Sequence, residues 1–117
     1  MKARSFRDKR IAKLLFNEIS LIINYELEDA LLNEIIITDV VVTKDLGLAR
    51  IFFRSLNNKM DIDRLKKEID RNMGKISQKL SERIHIKKLP YLEFLVDDLY
   101  YNAEKIEEII KQIHKDG

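Results

Sequence analysis

The hydrophobic period of this chain changes from helical to alternating and back, and that change limits the folds it can adopt. Over residues 6–27 the apolar positions follow helical spacing. Residues 35–43 and 48–55 are instead rich in β-branched and aromatic side chains with the alternation of strands. Asp45 and Gly47 offer turn chemistry between them. We therefore predict a long amphipathic helix followed by a β-hairpin with one buried face.

Helical spacing returns over residues 62–84, where Asp61 is a candidate cap. Pro90 then precedes an alternating segment, residues 91–98, which predicts a third strand. A last short helix is predicted from Asn102. The predicted order is α-β-β-α-α-β plus a short C-terminal helix, an α+β fold. With 117 residues and no linker or repeat, we expect one domain over residues 1–117.

Gly74 lies in the middle of the second helical segment, where a glycine costs about 1 kcal/mol relative to alanine. The apolar spacing continues through it with only a small shift, which favours two helices that meet at a bend. This helix-kink-helix order resembles a type II KH domain, in which a GxxG loop between two helices clamps nucleotide backbone. Here only Asn72, Met73 and Gly74 stand at that place, so the usual grip on single strands is absent or altered.

Charge is segregated along the chain, although the formal net charge is only +2. Residues 1–13 and 71–88 each hold six basic residues against one acid, and residues 18–39 hold six acids and no base. Two basic blocks indicate an electropositive face for a polyanion, or alternatively two solvated helix surfaces with local ion pairs. The strongest candidate for the polyanion-binding site is a ridge of basic residues with helical period, formed by Arg71, Lys75, Lys79, Arg83 and Lys87. A second clamp would consist of Arg4, Arg7, Lys9, Arg10 and Lys13. Weaker candidates are Lys44, Arg50 and Arg54.

No pattern in the chain predicts a catalytic, metal or cofactor site. Cysteine is absent, which excludes thiolate chemistry, and His85 and His114 lack the spacing of metal ligands. Asp97 with Asp98 is a turn or cap more often than an acid–base pair. Phe52, which lies between two arginines, could stack on a base or simply face outward on its strand. We expect no enzyme, no cofactor and no small-molecule substrate.

The sequence resembles the bacterial ribosome-binding factor A family, and the resemblance runs over residues 7–113. Its most specific part is TDVVVTKDLGLARIFF, similar to the family's strand, (Ser/Thr)-(Lys/Arg)-Asp-Leu, strand pattern. The stretches KRIAKLLFNEISLII, NMGKISQKLSERIHIKKLPYLEFLVDD and KIEEII follow in family order. Asn72 stands where the family usually has alanine, so we expect its side chain to cap the bend. Ala30 and Leu31 replace a proline and an arginine common in relatives.

The resemblance implies a ribosome assembly factor that binds the immature small (30S) subunit and its 16S rRNA near the decoding region. It further implies a role in late maturation and 5′-end processing, especially in the cold. The alternative is a protein-interaction module whose basic ridge binds an acidic protein partner. The longest apolar runs are too short for a bilayer and no signal peptide precedes them, so we expect a cytoplasmic protein. Without a sustained heptad pattern, we expect a monomer.

Overall fold

The computed structural model describes residues 6–56 and 61–97, and their helices and strands follow the predicted order. The elements are α1 (Arg7–Leu21), β1 (Ile35–Val42), β2 (Leu48–Ser55), α2 (Ile62–Arg71), α3 (Met73–Arg83) and β3 (Tyr91–Val96). The α-β-β-α-α-β order of a KH-like α+β fold is thereby confirmed. The helix predicted from Asn102, the candidate cation Arg4, His114 and Asp98 lie outside the described residues.

The three strands form one sheet in the order β1-β2-β3, with β1 antiparallel and β3 parallel to β2. The hairpin turn is organised by Asp45, whose Oδ1 accepts hydrogen bonds from Thr43 Oγ1 at 2.6 Å and from Gly47 N at 2.9 Å. These bonds, chiefly the one from Thr43, lower the pKa of Asp45. Leu46, rather than the glycine, takes the left-handed conformation, with φ of 61°.

One face of the sheet packs against all three helices. The β2 residues that face the helices, Ala49, Ile51 and Phe53, are 0% exposed, which confirms the predicted buried face of the hairpin. A bulge between Ile37 and Asp39 shifts the alternation of β1 at that point. The helices complete the core with Ile11, Leu15, Ile19, Leu65, Ile69, Ile76 and Leu80. Each such side chain contributes roughly 1.5–3 kcal/mol by leaving water, so the predicted stripes also hold the helices in place.

Helix α1 ends in one wide turn of π-helix, Ile22–Glu26. Leu27 N donates to Ile22 O at 3.1 Å, and Asn24 Nδ2 donates to Ile35 O at 2.8 Å. The turn is thus tied to the start of β1. The turn keeps Ile22 and Ile23 buried side by side. It also places Glu26 next to α3, where Glu26 contacts Lys79 of the basic ridge.

Candidate nucleic-acid interface

The bend between α2 and α3 is made by a single residue, Asn72. It ends α2 and precedes α3, with φ of −97° and ψ of 3°. Its side chain is buried and donates from Nδ2 to Glu68 O at 2.9 Å and to Asp29 Oδ2 at 3.2 Å. The amide therefore caps the last turn of α2 and fastens the bend to the acidic connector before β1.

Met73 and Gly74 belong to the first turn of α3 rather than to the bend itself. A Cβ added at Gly74 would meet nothing within 4 Å, so no packing inside the described chain requires a glycine there. The bend lies two residues before the glycine that drew attention to it in the sequence. Asparagine stabilises the bend through hydrogen bonds that a side chain without polar atoms could not form.

Two carboxyl groups meet beside the bend. Asp29 accepts from Leu31 N at 3.0 Å as well as from Asn72, and a hydrogen bond links it to Glu68. That bond and burial raise the pKa of Glu68. Burial alone would raise the pKa of Asp29, but its hydrogen bonds, chiefly the one with Glu68, lower it. The pair therefore holds one proton on Glu68 more tightly than an isolated glutamate would.

The five candidate cations of the ridge do not all lie on one helix. Arg71 is the last residue of α2, and Lys75, Lys79 and Arg83 lie on α3. Helix α3 ends at Arg83, so Lys87 belongs to the segment that leads to β3. The expectation that helical period carries the ridge through Lys87 is wrong, because the helix stops one turn earlier.

Three of these five cations are already paired with carboxylates of this chain. Arg83 contacts Glu18 at 3.2 Å and forms two hydrogen bonds with Glu26, and Lys79 Nζ lies 3.7 Å from Glu26 Oε1. The Arg83 hydrogen bond is the main cause of the lowered pKa of Glu26 and of the raised pKa of Arg83. Arg71 contacts Glu68 at 3.1 Å. Only the Arg71–Glu68 pair is the local pairing weighed as the alternative, because Lys79 and Arg83 pair with carboxylates of another helical segment.

Sequence reasoning did not identify Glu18 and Glu26 as these partners. A signal was present, because an acidic block on the first helix and a basic block on the third could neutralise each other if the helices packed together. Only the fold shows that they do. The pairing joins α1 and its π-helical turn to α3.

The remaining candidates stay exposed to a ligand. Among the described residues, Lys75 and Lys87 are exposed and their side chains form no ion pair or hydrogen bond. The first two turns of α1 expose Arg7, Lys9, Arg10 and Lys13, and Lys9 Nζ lies 5.5 Å from the centre of the Phe6 ring. Surface cations that are not paired with carboxylates can neutralise phosphates without losing a partner. The stronger candidates for phosphate contacts are therefore the cations without a carboxylate partner, namely Lys9, Arg10, Lys13, Lys75 and Lys87.

The weaker candidates on the hairpin are spread out. Lys44 is exposed in the turn, Arg54 is exposed on β2, and Arg50 pairs with Glu93 at 3.4 Å on the outer face of the sheet. Phe52 is half-buried between the two arginines. Both interpretations of Phe52, stacking surface and outer strand residue, stay predictions.

No metal-ligating cluster of three or more His, Cys, Asp or Glu occurs in residues 6–56 and 61–97. Asp61 accepts from Asp63 N at 3.0 Å and so caps α2, as predicted. Within the same ranges no helix combines the length and the hydropathy needed to cross a bilayer.

Comparison with known proteins gives one consistent family. The family model described as ribosome-binding factor A matches residues 7–110. Ribosome-binding factor A of Staphylococcus carnosus is 33% identical over 109 residues, covering 93% of this chain and 95% of that protein.

Solved structures share the fold at lower identity. The crystal structure of ribosome-binding factor A from Thermus thermophilus is similar with a TM-score of 0.67 at 20% identity, over 76% of this chain and 93% of that one. A homology model of the Thermus thermophilus protein, fitted into the cryo-EM map of its 30S complex, is similar with a TM-score of 0.58 at 19% identity, over 74% and 90%.

Proposed function

Because the chain belongs to the ribosome-binding factor A family, we propose that it is a ribosome assembly factor that binds the small (30S) ribosomal subunit. The match over residues 7–110 carries this proposal, since it spans every described helix and strand. The relative seen in a 30S complex supports the same partner.

The proposed ligand on the subunit is 16S rRNA, contacted mainly through its phosphates. Exposed cations on α1 and on the α3 side of the fold support this assignment, because phosphate contacts dominate the affinity of such proteins. We assign the main contacts to Lys9, Arg10, Lys13, Lys75 and Lys87. Arg7, and Arg4 outside the described residues, are further candidates. Arg71, Lys79 and Arg83 contribute less, because each would have to leave a carboxylate first.

The proposed role is binding without chemistry. A cytoplasmic single KH-like domain would stabilise an immature arrangement of the 16S rRNA and aid late maturation and processing of its 5′ end. This aid would matter most in the cold, where misfolded RNA helices rearrange slowly. Because the Asn72 bend stands in place of a GxxG loop, the protein would recognise the RNA by its shape and by the positions of its phosphates.

The second candidate is a protein-interaction module with an acidic partner. The carboxylates of Glu18 and Glu26 on Arg83 support it, since they show that this surface accepts carboxylates. The two functions differ in where the protein is found in cells.

Gradient sedimentation of the tagged protein from a cold-shifted lysate tests the proposal. We expect it to migrate with free small subunits and not with complete ribosomes at low salt, and to move toward the top as salt rises. We also expect a deletion strain to accumulate 16S rRNA with an unprocessed 5′ end in the cold. A protein at the top of the gradient at every salt, with normal 16S rRNA in the deletion strain, would favour the acidic-partner module.

A further inference from the structure

The carboxylate of Glu26 binds Arg83 in the manner of a phosphate. Arg83 donates from Nη1 and Nη2 to the two oxygens of Glu26, with the Nη1 bond at 2.6 Å. Two parallel N–H groups on two oxygens are the geometry with which a guanidinium binds either a carboxylate or a phosphate. Glu26 therefore occupies the position on Arg83 that a phosphate of RNA would take.

A second cation of the ridge contacts the same carboxylate. Lys79 Nζ lies 3.7 Å from Glu26 Oε1, the oxygen that also accepts from Arg83 Nη2. Lys79 and Arg83 are four residues apart on α3, so they lie on one side of the helix and can reach one anion together. The structure thus shows an anion site between α1 and α3 that a side chain of the protein itself fills.

This anion site is open to solvent. The side chains of Glu26 and Arg83 are 27% and 31% exposed, and that of Lys79 is 34% exposed. Ion pairs that stay in contact with water contribute little net stability, because water and dissolved ions screen the attraction. A phosphate brought to the site can therefore replace the carboxylate at small cost, while Glu26 turns into water.

The π-helical turn at the end of α1 positions Glu26 for this contact. Leu27 N donates to Ile22 O, five residues back, so the turn is wider than an α-helical one. Such turns are rare and occur often at functional sites. Glu28, just beyond the turn, is exposed and forms no ion pair with a described residue. Glu28 is therefore a matched control for Glu26.

Lys75 provides a first contact from which an RNA could reach the site. It lies four residues before Lys79, about 6 Å along the helix, and its side chain is exposed and unpaired within the described part of the chain. A backbone held by Lys75 brings its neighbouring phosphates to Lys79 and Arg83 at high local concentration. A continuous row of phosphates suits this row of three cations better than the separate carboxylates of an acidic protein.

We propose that Glu26 is an internal competitor for RNA: its carboxylate closes a phosphate site on Arg83 and Lys79, and a phosphate of the bound RNA displaces it. The competition lowers the affinity for RNA and so makes it easier for the protein to leave the subunit. This inference rests on the proposed RNA-binding function. It adds a residue that opposes binding to the cations that support it.

The test compares the affinities of the native chain, Glu26→Gln and Glu28→Gln for immature small subunits and for a duplex RNA of random sequence. Both variants remove one negative charge, but only Glu26→Gln opens the site. We expect Glu28→Gln to raise the affinity slightly through net charge, and Glu26→Gln to raise it by about two- to fivefold more. In an Arg83→Ala background, Glu26→Gln should gain no more than Glu28→Gln does.

A second measurement follows the displacement itself. The hydrogen bond from Arg83 is the main reason why the pKa of Glu26 is lowered in the free protein. When a phosphate takes Arg83, the pKa of Glu26 should rise, because the carboxylate loses its cation and gains an anion as neighbour. Carbon-13 NMR of the Glu26 carboxyl group, titrated with and without the duplex RNA, measures this change.

The inference is overturned if Glu26→Gln and Glu28→Gln bind RNA equally well, or if RNA leaves the pKa of Glu26 unchanged. It is also overturned if Glu26→Gln gains affinity for poly-glutamate but not for RNA, which would make the site one for an acidic protein. Glu18→Gln, which also removes a carboxylate from Arg83, takes the place of Glu26→Gln should that variant lose its unfolding transition. A native chain that binds neither subunits nor RNA would overturn the proposed function as well, whereas the other outcomes leave it standing.

Discussion

Asn72 Nδ2 lies 3.2 Å from Asp29 Oδ2, so the bend between the two central helices is tied to the connector that precedes the sheet. The same nitrogen donates to Glu68 O at 2.9 Å. One buried amide thus joins the end of α2, the start of α3 and a segment 43 residues away in the chain. The geometry of the bend depends on this amide and not on the glycine that follows it.

Replacing Asn72 by alanine should destabilise this protein. The variant loses both hydrogen bonds and leaves Asp29 with fewer donors, which costs about 1–2 kcal/mol in the free energy of unfolding. Urea unfolding measures the loss. Asn17→Ala on the exposed side of α1 is the control and should cost nothing. Equal stability of Asn72→Ala and the native chain would mean that the amide does not hold the bend.

Gly74→Ala should stabilise the domain by up to about 1 kcal/mol, because alanine favours the helix and its Cβ meets nothing within 4 Å. Gly47→Ala is the contrasting variant, since its Cβ would lie 3.2 Å from Asp45 Oδ1 and should not stabilise. Thermal unfolding of both compares them directly. A loss of stability in Gly74→Ala would contradict the open surroundings of that residue.

The Asp29–Glu68 pair should give stability a pH dependence that Glu68→Gln removes. The pKa of Glu68 is raised by its hydrogen bond to Asp29, so its contribution is complete below the ordinary glutamate value of 4.5 and is lost as the pH rises through the raised value. A glutamine keeps a donor on Asp29 at every pH. The variant should therefore gain stability over the native chain as the pH increases from acid to neutral.

Urea unfolding at a series of pH values follows this difference. Glu82→Gln, at an exposed position of α3, controls for the change in net charge. Parallel pH profiles of the native chain and Glu68→Gln would argue against a proton shared by the pair.

Arg83→Ala should lower the midpoint of thermal unfolding, because Glu18 and Glu26 would lose their main cation. Glu26→Ala should cause a similar loss, and the double variant should lose less than the sum of the two. Lys75→Ala, with no ion pair to lose, is the control. Additive losses would mean that Arg83 and Glu26 do not depend on each other. Charge reversal of Lys79 and Arg83 is therefore a poor probe of RNA binding, since it places carboxylates against Glu26.

Most of the fold could be predicted from periodicity. The alternation that buries Ala49, Ile51 and Phe53, and the helical stripes facing them, follow from local sequence because each side chain's face is fixed by its element. The bend and its capping by the Asn72 side chain were predicted too, but not the second partner, Asp29, because it lies far away along the chain. The same limit applies to the interface. Spacing identified a row of basic residues, and only the packing of α1 against α3 separates the paired Arg83 from the unpaired Lys75.

The central claim is that unpaired cations on α1 and near α3 bind the phosphates of the small subunit. Its most direct test is the affinity of the purified protein for immature small subunits over a range of salt concentrations. The logarithm of affinity should fall steeply with that of salt, with a slope near −0.9 for each duplex phosphate neutralised. Lys75→Glu and Arg10→Glu should each weaken binding and flatten the slope, while Lys67→Glu, an exposed position on α2 outside the interface, should leave the slope unchanged. The claim would be contradicted by an affinity that does not change with salt concentration. It would also be contradicted if Lys67→Glu changed the affinity and the slope as much as Lys75→Glu and Arg10→Glu do.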